Sequence, residues 1–101
     1  MMKNPDECTN ISEIRAEIDR LDQQIIQILG QRFQYVKAAA QFKTSKTDVQ
    51  ASERFAAMLK QRRIWAEDAG LSPDAIEKMY RDLVQYFIAE EIKQWETTES
   101  E

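Results

Sequence analysis

Between Ile14 and Lys43 the apolar residues Ile14, Ile18, Leu21, Ile25 and Ile28 recur at alternating spacings of four and three, and no other feature narrows the fold as far. That rhythm turns one side of a helix towards other helices and does not match the two-residue alternation of a strand. The count next lands on Arg32, and Val36 and Ala39 carry the same face on to Lys43. Eleven residues turn a helix only about 20° past three full turns, so the two cations share a side. The small residues Ala38, Ala39 and Ala40 lie between them. Two positive charges on the inward side of a helix, separated by small side chains, have the makings of an anion pocket.

The same helix is too long for a compact domain of this size. Counted from a cap at Asn10, with Glu13 as its capping-box partner, to Lys43, it spans roughly 50 Å at ~1.5 Å per residue. A globular chain of about 100 residues has a radius of gyration near ~13 Å, or a diameter of roughly 33 Å as a sphere. Part of the apolar seam therefore faces water unless another chain covers it, and identical subunits are the commonest cover. The expectation is a homodimer.

Composition agrees with helices and removes most chemistries. The chain has 101 residues, room for a single domain spanning 1–101, and only two Gly and two Pro, which favours an all-α fold. Its net charge of −4 argues against a nucleic-acid partner, which needs clustered Lys and Arg. Without histidine there is no imidazole base, no Ser-His or Cys-His nucleophile and no His-ligated metal. A lone Cys8 leaves no internal disulfide and fits a reducing, cytoplasmic compartment. No apolar run long enough for a membrane span and no signal core is found. Any catalysis must rest on Arg, Lys, carboxylates and amides, which suit electrostatic stabilisation better than proton shuttling.

Residues 1–9 read as a loose arm, and TSKTDVQAS after Lys43 reads as a connector. Ser52 or a neighbour caps a second helix with Phe55, Met58, Leu59, Ile64 and Trp65 roughly on one face, ending before Gly70. The third helix starts at Ser72-Pro73-Asp74, runs Ile76, Met79, Tyr80, Leu83, Val84, Phe87, Ile88, Ile92, Trp95, and is expected to fray in the acidic tail. Its stripe places Glu91 on the apolar face. A carboxyl there is either paired with a cation or protonated.

Each polar seam residue also has a purely structural reading. Arg32 could set helix register through a salt bridge, Lys43 could complement the helix dipole, and Glu91 could be the partner of either. Arg15 could be a solvated charge near Glu13 and Asp19. Arg54, in the first turn of the second helix, is poorly placed for the dipole, which leans towards a ligand role. Taken together the inward cations outnumber the carboxylates, as a polyanionic small ligand requires. Arg15 lies about 26 Å along the helix from Arg32, too far to serve the same site in one chain. In an antiparallel pair of chains it could meet Arg32 and Lys43 of the other copy.

Arg15, Arg32 and Lys43 at these spacings, Arg54 opening a second helix and an acid late in a third resemble the all-helical chorismate mutase class. The wording CTNISEIRAEIDRLDQQIIQILGQRFQYVKAAAQFK, SERFAAML, WAEDAGL and IAEEIKQW is closer still to the isochorismate-pyruvate lyases of salicylate biosynthesis. The resemblance implies three helices per chain, intertwined in a homodimer with two shared sites for a chorismate-type dicarboxylate, without metal or cofactor. It implies that Arg32 and Lys43 grip the carboxylates and ether oxygen, with Arg54 and the partner chain's Arg15 completing a cationic cage. Glu91 stands where bacterial relatives usually carry a glutamine that donates to the ether oxygen. Phe55 stands where many bacterial mutases carry a carboxylate for the ring hydroxyl, which favours the lyase. A chorismate mutase on the same scaffold and a non-catalytic helical dimer are the alternatives.

Overall fold

The computed structural model describes residues 3–42 and 52–100, with side chains set aside at 52, 94, 95 and 97–100. Regular structure among them is helical throughout: a 3-10 turn at Pro5–Glu7, α1 at Ile11–Ala39 running into a 3-10 turn at Ala40–Phe42, α2 at Ser52–Asp68 and α3 at Pro73–Ser100. Lys43 and the connector after it lie outside the described residues. The chain divides into two compact units, Met1–Gln34 and Tyr35–Glu101.

The first unit is the arm and most of α1. Asn10 caps the helix as its sequence predicts, its Oδ1 accepting from the Glu13 N–H at 2.9 Å. The reciprocal half of the box is displaced by one residue: the Glu13 carboxylate accepts from the Thr9 N–H at 2.9 Å and its hydroxyl at 3.3 Å. Lys3 adds an ion pair to Glu13 at 3.0 Å. The arm expected to be loose thus has a 3-10 turn and is tied down at Lys3 and Thr9. No residue of α1 is buried. Ile18, Leu21, Ile25 and Ile28 expose 50, 48, 53 and 59 % of their surface.

The α-helix stops at Ala39, four residues short of the expected Lys43, and tightens into the turn Ala40–Phe42. A 3-10 turn advances about 120° per residue instead of 100°, and the expectation that Arg32 and Lys43 share a side falls on Lys43, outside the described residues. Within the second unit this turn rests against α3, and Ala40 is buried.

Helices α2 and α3 form an antiparallel pair with its own core. Met58, Leu59 and Val84 are buried together, with Phe55, Tyr80 and Ile88 packed around them. At the other end Arg63 of α2 bridges Asp74 at 2.9 Å and Glu77 at 3.3 Å on α3. The link between the helices is short and fully specified. Gly70 takes φ +79°, the Leu71 N–H reaches the Ala66 carbonyl at 2.8 Å and the Gly70 N–H that of Glu67 at 3.1 Å, the two bonds of a Schellman stop. Ser72 then caps α3 through the Ala75 N–H at 3.2 Å, with Pro73 in the first turn where its missing N–H costs nothing.

Two sequence expectations are corrected here. Ile64 and Trp65 do not share the inward face of α2; they are 55 and 52 % exposed. From Leu59 that face continues through residues 62 and 66, three and seven residues on, and Ala66 is indeed buried. The acidic tail remains helical to Ser100, since residues 91–100 contain no Gly or Pro to stop it.

Candidate active site

The five residues singled out by the sequence are distributed over both units. Arg15 and Arg32 belong to the first, on α1; Arg54 and Glu91 belong to the second, on α2 and α3. Lys43 lies outside the described residues. Glu91 is the buried charged side chain recorded among the described residues, at 7 % exposure, as its place on the apolar stripe of α3 predicts. Its neighbours on that stripe, Phe87 and Val84, are buried too. Arg32 is half-buried, whereas Arg15 and Arg54 are exposed.

Within the second unit the antiparallel register brings Arg54 and Glu91 towards the same end of the helix pair. Phe55 packs against the Met58, Leu59 and Val84 cluster, so the start of α2 lies alongside α3 from Val84 onward, the side from which Glu91 follows. The opposite end carries a groove of about 310 Å³ lined by Lys60, Arg63, Ile64, Glu67 and Pro73, none of them one of the five site candidates. There the Arg63 guanidinium is held charged by Asp74 first, with Glu77 adding to it. That cation is committed to bracing the two helices.

Two of the acids near Arg15, Glu13 and Glu17, are likewise occupied. Glu13 is held below the usual carboxylate range by the Thr9 N–H, with Lys3 adding to it. Glu17 is held down by Arg20, whose guanidinium lies 2.9 Å away. Among the described residues neither Arg15 nor Arg54 is held in an ion pair. Exposed arginines left in this way are available to a carboxylate from elsewhere, which a guanidinium grips in a bidentate, charge-assisted pair.

The sequence reading passed over Arg62. It takes the inward position of α2 vacated by the expected Ile64 and Trp65, with its guanidinium 4.6 Å from the Trp65 ring centre and 5.7 Å from that of Tyr80. Stacking on aromatic faces lets a cation occupy a half-buried position that an apolar residue would otherwise fill. The signal was present in the spacing: position 62 stands three residues after Leu59 and four before Ala66.

Comparison with known proteins adds an independent line. The model of the family described as chorismate mutase type II matches residues 14–92. The chain is 46% identical over 97 residues to an isochorismate pyruvate lyase of Pseudomonas aeruginosa, covering 96% of each chain. It is also 37% identical over 82 residues to the T-protein of Haemophilus influenzae, covering 80% of this chain and 22% of that one.

Proposed function

The chain belongs to the chorismate mutase type II family, and from that premise we propose that it is an isochorismate-pyruvate lyase releasing pyruvate and salicylate from isochorismate. The observation that carries this reading is 46% identity to such a lyase along 96% of both chains. We read residues 1–101 as one catalytic domain and its compartment as the reducing cytoplasm that a lone Cys8 fits. No helix among the described residues is long and apolar enough to cross a membrane.

In this reading a second copy covers the bare seam of α1 and contributes its Arg15 to each site. Arg32, Arg54 and that partner arginine hold the two substrate carboxylates and orient the ring. The reaction is pericyclic: the ether C–O bond breaks while a ring hydrogen passes to the enolpyruvyl methylene, so pyruvate departs and the ring becomes aromatic. All the atoms come from the substrate and no enzyme base is required, in keeping with a chain that has no histidine. Lys43 acts on the ether oxygen as negative charge develops there, an interaction stronger in the transition state than in the ground state. Glu91 donates to the same oxygen only when protonated, since a carboxylate has no proton to give.

Phe55 supports the lyase over the mutase. The residue after Arg54 is a phenylalanine packed against the α2 and α3 core, with no carboxylate to offer a ring hydroxyl. Chorismate mutase is the second reading, favoured by the family description itself, and weak mutase activity is expected because both reactions break the same ether bond. The decisive assay is incubation with isochorismate, following salicylate fluorescence and pyruvate release. Salicylate formation supports the lyase; prephenate from chorismate without salicylate would replace it by the mutase; neither product would leave a helical dimer without catalysis.

A further inference from the structure

The second unit contains a chain of charges that the proposed chemistry does not use, and it ends beside Arg54. Glu77 on α3 takes Arg63 of α2 on one oxygen at 3.3 Å and Arg81, one turn along α3, on the other at 3.2 Å. The Arg81 guanidinium then lies 5.7 Å from the ring centre of Phe55. Phe55 is also packed against Met58, Leu59 and Val84, and it is the residue next to Arg54. Glu77 thus fixes a cation over the ring in the first turn of α2, the part of the helix with the least backbone hydrogen bonding of its own.

We propose that Arg81 is a positioning residue for Arg54: clamped by Glu77, it seats Phe55 and so holds the first turn of α2 in the geometry from which Arg54 meets the substrate. This rests on the reading of Arg54 as a substrate-binding group. A cation over an aromatic ring at a half-exposed position is a modest interaction, and its effect should appear in substrate affinity. A carboxylate contact made equally before and during the reaction changes KM and leaves kcat in place.

The test is a kinetic double-mutant cycle on the full-length protein with isochorismate, using Arg54→Ala, Arg81→Ala and the pair, with far-UV circular dichroism and thermal melting on each. Arg81→Ala should raise KM by about two- to fivefold at unchanged kcat, Arg81→Lys should restore much of that, and in the Arg54→Ala background Arg81→Ala should add nothing further. Arg63→Ala, which cuts the network at its far end, should lower the melting temperature and leave KM in place. If Arg54→Ala raises KM but Arg81→Ala adds its full effect on top of it, or changes only the melting temperature, the positioning role is overturned while the lyase reading stands. If Arg54→Ala leaves KM untouched, Arg54 is no substrate group and both fall.

Discussion

Helix α1 and the α2/α3 pair are built from similar apolar stripes and end in opposite conditions. The pair buries Met58 and Leu59 to 5 and 4 % exposure and Val84 to 9 %, a core drawn from residues on either side of one tight link. In α1, 29 residues long, nothing is buried, although its repeat is the more regular of the two. Periodicity fixes which side of a helix is apolar; it does not say whether the covering surface lies in the same chain. For α1 we read the cover as a second copy, and for the pair it is already present.

The substitution that bears hardest on this contrast is Ile25→Asp in the α1 seam. It should reduce the mass seen by sedimentation to that of one chain and cut activity by at least about a hundredfold, since misplacing a partner's binding group by an ångström is enough for that. A dimer with unchanged turnover would erase the distinction between the two regions. Leu59→Ala probes the other side: a loss of about 2–5 kcal/mol in denaturant unfolding, with substrate affinity and assembly kept in the folded fraction. Dissociation at constant intrinsic stability would mean that this core, too, depends on a partner.

Glu91 sits on the pair yet is assigned to the chemistry, so it sharpens the contrast from within. Turnover of the natural protein should rise towards mildly acid pH, because only the protonated acid donates. Glu91→Gln should flatten that profile and raise neutral-pH turnover by about tenfold, the worth of one hydrogen bond to developing charge. An unchanged profile would return Glu91 to a structural role.

The smallest expected effect is at the start of α1. Asn10→Ala should cost about 1 kcal/mol, read from the melting curve. Because Glu13 and Glu17 are held below the ordinary carboxylate range, the stability they contribute is complete above that range. It is lost as pH falls through their lowered values. Replacing both by Gln should make the acid limb of the melting profile shallower; an identical limb would show that the arm contributes nothing.

The sequence showed the three helices, the Asn10 and Ser72 caps, the Gly70 stop and the burial of Glu91, because each depends on a few adjacent residues or on one stripe. It misjudged features that depend on small angular sums or on neighbours. Spacing alone places Ile64 and Trp65 inward where Arg62 and Ala66 hold that face, and an arginine there looks solvent-bound until the rings of Trp65 and Tyr80 are seen beside it. The 3-10 turn after Ala39 has no Gly or Pro to announce it. Of the site itself, spacing and resemblance named the cations, but the bracing of Phe55 by Arg81 depends on a contact between helices that no local pattern encodes.

The Gly70 link has a consequence for the order in which the molecule comes together. Contacts between α2 and α3 close only a short loop, so the entropy lost in forming them is small and the hairpin is a candidate for rapid, unimolecular folding. In the proposed homodimer, coverage of the α1 seam would require an encounter between two molecules. Refolding after dilution should therefore show an early phase in helical signal at a rate independent of protein concentration. Recovery of activity should follow at a rate that climbs with concentration, and a single phase common to both signals would contradict this order.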